Sequence, residues 1–171
     1  VLGTAWLTAY RALFEKSGLR AGETVLIQGA TGGMATALIQ LGSAAGFEVW
    51  ATSRTEEGRA KARSLGAHAT FRPDEPVPRK VQAVVDSIGA ASWEHSVASV
   101  ARGGVLVTVG GTTGFDVSLN LLPVVADQIT ITGSIMGTLK DMEDMVRLIA
   151  QSGIEPEIGV VLPMEQAAEG F

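Results

Sequence analysis

The chain has 171 residues and a mass of 17.7 kDa, with 46% hydrophobic and 18% charged residues, enough for one well-buried domain and short for two. Lys and Arg number 13 against 18 Asp and Glu, and the net charge of −5 argues against a nucleic-acid groove or an anionic membrane surface as partner. There is no Cys, which excludes disulfides and thiolate zinc sites, and the mean hydropathy of +0.28 comes in short bursts that fall well short of the ~20 apolar residues of a membrane span.

Residues 4–16 carry Leu7, Tyr10, Leu13 and Phe14 at helical spacing, with Gly18 as the stop. Residues 24–28 (Thr-Val-Leu-Ile-Gln) are a short apolar run, the mark of a strand buried on both faces. The glycine turn Gly29-Ala30-Thr31-Gly32-Gly33 follows, then a helix with Met34, Leu38, Leu41 and Ala45 on one face, ended by Gly46. A strand at 47–52, a charged helix at 56–65 ended by Gly66, and a brief strand at 68–71 come next. Residues 72–79 hold Pro73, Pro76 and Pro78 and read as an exposed loop. A strand at 82–86 leads to a helix at 92–100 closed by Gly103-Gly104, a strand at 105–109, a short helix at 119–126, a strand at 128–134 and a helix at 142–150. Residues 158–162 and 164–171 read as the start of further structure. No repeat, low-complexity stretch or linker divides residues 1–171.

Strands alternating with helices imply right-handed crossovers and an α/β fold: a Rossmann doubly wound parallel sheet of about six strands, with helices on both faces. The strand at 128–134 differs from the inner ones because Ile129, Thr130, Ile131 and Thr132 alternate, which suits a sheet edge. Such an edge serves equally as a homodimer seam or as an ordinary edge covered by a loop.

The glycine turn stands between the first strand and a helix, where free amides and the positive helix end receive a phosphate. It is a loosened G-x-G-x-x-G with Ala30, Gly32 and Ala35 at the three positions. A plain glycine-rich crossover turn is the competing reading. An NAD site carries Asp or Glu near the end of the second strand to bond the ribose 2′-hydroxyl. Here the stretch reads Val49-Trp50-Ala51-Thr52-Ser53-Arg54, with a hydroxyl and a guanidinium in its place. Ser53 and Arg54 match a 2′-phosphate through charge-assisted bonds, so NADP(H) is the expected cofactor. Trp50 is expected beside the adenosine site. Arg59, one turn on, adds charge there or is simply solvated.

The run Thr8-Ala9-Tyr10-Arg11-Ala12-Leu13, then Gly22-Glu23-Thr24-Val25-Leu26-Ile27 and the glycine turn, resembles the medium-chain dehydrogenase/reductase superfamily, in its quinone-oxidoreductase and zinc-binding dehydrogenase branches. Ser64-Leu65-Gly66-Ala67, Asp86-Ser87-Ile88-Gly89, Arg102-Gly103-Gly104 and Gly133-Ser134-Ile135-Met136-Gly137 continue the resemblance over nearly the whole chain. It departs at 72–81, where relatives have a helix before the fourth strand. The resemblance implies a second, GroES-like domain that supplies most substrate contacts and any zinc ligands, so this chain would be the cofactor half of a larger enzyme. It also implies roles by position. Thr8 would approach the nicotinamide, and the amides of Gly33 and Met34 would hold the pyrophosphate beside Ala30, Thr31 and Gly32. Ser53 and Arg54 would take the 2′-phosphate, and Ser87 and Ile88 would flank the adenosine. Val109 and Gly110 would line the nicotinamide pocket, and Ser134, Ile135 and Met136 would present backbone to the carboxamide. For Val109 and Ile88 core packing serves as well, and for Thr8 a bond to its own backbone.

The implied chemistry is hydride transfer between nicotinamide and a quinone, carbonyl or activated alkene, with the small-molecule substrate held by the second domain. An NADPH-binding module without turnover is the alternative. A methyltransferase is disfavoured by Thr52-Ser53-Arg54, since those enzymes place an acid after the second strand. No catalytic residue is assigned: His95, after Trp93-Glu94, and His68 read as surface or half-buried residues, and Asp86 as structural. Zinc is not expected on this chain. Val1–Thr4 does not open a signal peptide, and a cytoplasmic location is expected.

Overall fold

The apolar run at residues 24–28 forms β1 (Thr24–Gln28), buried along its whole length. Its pleat sends Val25 and Ile27 into one core cluster and Leu26 into the other. In this computed structural model, which describes residues 2–170, β1 pairs in parallel with β2 (Glu48–Thr52) on one side and β4 (Val81–Asp86) on the other. β3 (Ala69–Phe71) extends the first side, and β5 (Val100–Thr108) and β6 (Thr130–Gly133) the second. The resulting order, β3-β2-β1-β4-β5-β6 with every pair parallel, is the doubly wound Rossmann arrangement expected from the sequence. The chain reverses its direction across the sheet between β1 and β4. The carboxyl ends of these two strands therefore border the crevice where such sheets bind ligands.

The first helical segment, residues 2–16, is not the plain α-helix its apolar spacing suggests. One α turn, α1 (Leu7–Tyr10), lies between wider π turns at Leu2–Trp6 and Arg11–Lys16. A single short apolar stripe does not distinguish the two windings. α2 (Gly33–Ala44) packs on the same face of the sheet and is followed by Gly46 at φ 78°. α3 (Glu56–Ser64) starts where the Thr55 hydroxyl accepts from the Gly58 amide, with Glu56 and Glu57 in its first turn and Lys61 and Arg63 in its last, each complementing the helix dipole. α4 (Trp93–Ser99) covers the opposite face through Val97, against Leu26, Val84 and Leu106. α5 (Leu121–Ala126) and α6 (Leu139–Ser152) complete the helices.

Several boundaries differ from expectation for physical reasons. β5 begins at Val100, opposite Val81, and slips register before Ala83 pairs with Val105. Gly103 and Gly104 thus belong to a strand irregularity and do not close the preceding helix. A Cβ on Gly104 would stand 2.7 Å from the Gln82 carbonyl oxygen, so the bend requires glycine. β6 is shorter than 128–134 because Gln128 turns to φ 54° and leaves the ladder. α6 is longer than 142–150, because Thr138 and Asp141 form a capping box one turn earlier and Gly153 ends it at φ 68°. Residues 158–162 take no regular structure, and a 3₁₀ turn occupies Met164–Gly170; Val1 and Phe171 lie outside the described residues.

Asp141 also ties α6 to the first helical segment through the Arg11 guanidinium. Burial opposes its ionisation most strongly. The Thr138 amide, the Arg11 guanidinium and the Thr138 hydroxyl together outweigh that cost and hold the carboxyl below the usual range. A depressed carboxyl contributes stability above its unfolded value of about 3.9, and that contribution is lost as pH falls through the lower folded value. Asp141→Asn is expected to destabilise by about 1–2 kcal/mol at pH 7. Parent and variant unfolding curves should converge on acidification below about pH 4, as measured by denaturant titration.

Candidate functional site

The glycine turn closes the carboxyl end of β1 at the crevice. Gly29 takes φ 81°, and a Cβ there would meet Ile88 Cδ1 at 2.7 Å. The tight-turn role therefore belongs to Gly29 and not to Ala30. Ala30 is buried, its amide donating to the Thr52 carbonyl at 2.8 Å. Gly32 is the N-cap of α2 in extended backbone (φ −81°), with no side chain capping the helix. The amides of Gly33, Met34 and Ala35 open the helix and have no partner within it.

Gly32 is the informative residue. Any amino acid adopts its backbone angles, and a Cβ built on it meets no heavy atom within 4 Å. Neither conformation nor internal packing requires glycine here. What a side chain would fill is the open space in front of the α2 amides, the approach a diphosphate needs.

Beside this turn lies a cleft of about 290 Å³. It gathers five of the predicted residues: Ala30, Thr31, Ser53, Arg54 and Ile88. Arg54 is exposed, and among the described residues no hydrogen bond or ion pair engages its guanidinium. Ser53 is 6% exposed and packs against α3 so closely that a Cβ on Gly58 would stand 2.3 Å from its Oγ and 2.7 Å from Thr31 Cγ2. Gly58 is a site residue the sequence reading missed; a glycine in the first turn of a charged helix was its only signal. Arg59 is neither free nor merely solvated: it donates to the Ser53 carbonyl at 2.8 Å and to Glu56, fixing the Ser53 backbone.

The floor of the cleft also went unread. Gln28, Thr52 and Ser92 line it, and below them Asp86 accepts from both the Ser92 and Ser96 hydroxyls and from the amides of Ile88 and Gly89. Asp86 is thus a structural organiser of the β4 end. Ser87 does not line the cleft; its carbonyl accepts from the Thr112 amide and hydroxyl and so anchors the wall formed by Thr112 and Thr113. Trp50 is also out of the cleft, edge-on to Phe71 with Arg79 4.8 Å over its ring.

The remaining predicted residues collect elsewhere on the carboxyl edge. Val109, Gly110, Ser134 and Ile135 line an open cavity of about 580 Å³, together with Arg11 and Phe115. Ser134 Oγ is buried without a protein partner. Thr8, 7% exposed, donates to the Thr4 carbonyl at 2.8 Å and lies 4.0 Å from Met136 Sδ. Met136 itself takes φ 50°, an uncommon conformation next to a Gly137 that packs tightly on Leu7. The predicted residues thus fall into two groups, one lining the cleft beside the glycine turn and one around the cavity at the ends of β5 and β6. Among the described residues no three His, Asp or Glu side chains converge on a metal position.

The family model for zinc-binding dehydrogenases matches residues 33–151, more than half of the chain. The chain belongs to the zinc-binding dehydrogenase family. That family falls within the medium-chain dehydrogenase/reductase superfamily, an oxidoreductase group with the Rossmann sheet described above. The chain is 30% identical over 184 residues to quinone oxidoreductase of Rattus norvegicus, covering 98% of the chain and 55% of that protein. Acryloyl-coenzyme A reductase of Sulfurisphaera tokodaii is 29% identical over 170 residues, covering 95% and 50%. Among solved structures, an NAD-dependent alcohol dehydrogenase superposes with a TM-score of 0.87 at 30% identity, covering 98% of the chain and 52% of that chain. The crotonyl-CoA carboxylase/reductase AntE in complex with NADP gives 0.84 at 25% identity, covering 92% and 48%. The chain spans about half the length of the curated relatives it matches. No helix among its described residues is long and apolar enough to cross a membrane.

Proposed function

We propose that this chain is the NADP(H)-binding domain of an oxidoreductase that passes hydride between nicotinamide and a quinone, a carbonyl/alcohol pair or an activated alkene. The observation that carries the reading is the empty approach at Gly32 in front of the uncapped α2 amides. The amides of Gly33 and Met34 hold the pyrophosphate, with Ala30 and Thr31 shaping the turn. Ser53 and Arg54 take the 2′-phosphate, and Ile88, packed over Gly29, forms the apolar wall for the adenosine. On the other side Thr8, Val109, Gly110, Ile135 and Met136 border the nicotinamide, and the unpartnered Ser134 hydroxyl is available to its carboxamide. The bound nicotinamide supplies the hydride chemistry; the protein binds, orients and excludes water. A second, GroES-like domain of the whole protein holds the substrate, and the chain alone is expected to bind nucleotide without reducing quinones or aldehydes.

Calorimetric titration of the purified chain tests the reading. NADPH is expected to bind tightly, NADH at least tenfold more weakly and S-adenosylmethionine not at all. Equal affinity for NADPH and NADH would remove the 2′-phosphate assignment, and no binding of either would remove the proposal. Because Trp50 is out of the cleft, the fluorescence of NADPH itself is the better optical probe.

We also propose a homodimer through the β6 edge. Among the described residues β6 has an unpaired side, and Leu121, Leu122 and Val125 of the neighbouring α5 are 62%, 71% and 72% exposed. A second copy supplies the same edge and apolar face by two-fold symmetry. Leu122→Asp with Val125→Asp is expected to convert a dimer to a monomer in sedimentation analysis with little change in stability. A parent chain that sediments as a monomer would refute the seam.

A further inference from the structure

His95 stands in α4, and nothing in the proposed hydride transfer uses it. Its surroundings fix its protonation pattern. Gln28 Oε1 accepts from the Thr52 hydroxyl at 2.8 Å, which leaves the Gln28 amide nitrogen as donor to Ser96 Oγ at 3.0 Å and to His95 Nδ1 at 2.8 Å. Ser96 spends its own proton on Asp86 at 2.6 Å, so it remains an acceptor for Gln28. His95 Nδ1 is then the acceptor, the ring proton lies on Nε2, and Nε2 donates to the Glu75 carbonyl at 2.9 Å.

Glu75 belongs to the proline loop, the segment between β3 and β4. Among the described residues, the Glu75 carbonyl is where residues 72–78 hydrogen-bond to another part of the chain. Pro73 of the same loop lines the adenosine-side cleft together with Ile88 and Ala91. The polar chain continues beyond Gln28: the Gly29 amide donates to Thr52 Oγ1 at 3.1 Å. One continuous path therefore runs from the base of the glycine turn, across the ends of β2 and β1, through His95 and into the loop.

We infer that His95 is a positioning residue that sets the width of the adenosine-side cleft by tethering the proline loop, through Glu75, to the Gln28 floor. The inference rests on the proposed nucleotide site. A free loop with no helix of its own samples many conformations, and the tether confines it to the one that places Pro73 against the base. A neutral imidazole is the side chain that accepts at one nitrogen and donates in nearly the opposite direction from the other, which the Gln28–Glu75 span requires.

Two replacements separate the two bonds. In His95→Asn the amide oxygen occupies the Nδ1 position and keeps Gln28, but the loop is released. In His95→Gln the amide nitrogen reaches the Nε2 position and keeps Glu75. Hydrogen–deuterium exchange of residues 72–80 is expected to quicken about tenfold in His95→Asn and to change less than threefold in His95→Gln. Affinity for NADPH and for adenosine 2′-monophosphate should fall about tenfold in His95→Asn, with His95→Gln within threefold of the parent. Binding of reduced nicotinamide mononucleotide should not change in either. The inference is overturned if the two variants exchange alike, if His95→Asn binds adenosine 2′-monophosphate as the parent does, or if affinity simply follows melting temperature in both. Failure of the parent chain to bind NADPH overturns the nucleotide-site reading and this cleft assignment with it. Selective loop exchange in the variants would then leave His95 as a tether with no nucleotide role.

Discussion

Gly32→Thr is expected to weaken NADPH binding by at least tenfold, about 1.4 kcal/mol, while leaving the protein as stable as before or more so. The opposite signs follow from one position. Thr is a preferred N-cap, and the backbone of Gly32 is already in the extended conformation a cap adopts. No heavy atom stands within 4 Å of the new Cβ, so the substitution meets no steric cost. The hydroxyl then bonds the second or third amide of α2, and the side chain fills the space in front of them. Both effects remove what a diphosphate would use: free donors and close approach. Most binding-site substitutions lose affinity and stability together and cannot be told apart from partial unfolding. Here thermal melting and calorimetry should move in different directions. Undiminished NADPH affinity would mean that the phosphates are held away from the α2 terminus.

What was legible in the sequence is what depends on neighbours along the chain. The run Thr24–Gln28 needed only its apolar content to be read as a doubly buried strand, and the order of such runs and glycine stops was enough for the Rossmann sheet. The position of Ser53 and Arg54 at the cleft was legible because they directly follow the end of β2. The unread features depend on distant partners. Gln28 and His95 are 67 residues apart, and neither residue type signals the other. Gly58 matters because of Ser53 and Thr31 on other elements, and Gly104 because of the Gln82 carbonyl. The same limit explains the turn: a motif template aligned Ala30 with its first glycine, whereas the position that needs glycine is Gly29, where φ is positive and Ile88, at the end of β4, leaves no room for a Cβ. The π turns flanking α1 were hidden for a different reason, since wider winding leaves a short apolar stripe almost unchanged.

Arg54→Asp should reverse the nucleotide preference, lowering the ratio of NADPH to NADH affinity by at least about a hundredfold, or 2.7 kcal/mol. Two contributions add. Loss of the guanidinium removes charge-assisted bonds worth roughly 1.5–3 kcal/mol from the 2′-phosphate, and the new carboxylate repels the phosphate dianion. Against NADH the same carboxylate gains a partner, because it accepts a hydrogen bond from the free 2′-hydroxyl. Stability should barely change: Arg54 is exposed, and among the described residues no ion pair depends on it. Salt supplies an internal control. The contact lies at an open cleft mouth, so NADPH affinity of the parent should fall between low and 0.5 M salt, while NADH affinity and both affinities of the variant should depend on salt less steeply. Arg59 does not compensate, because bonds from all three of its nitrogens to Glu56 and the Ser53 carbonyl hold the guanidinium in place. A variant that keeps the parental preference would transfer the 2′-phosphate from Arg54 to the Ser53 hydroxyl and the amides at the start of α3. Ser53→Ala would then carry the selectivity loss that Arg54→Asp failed to produce.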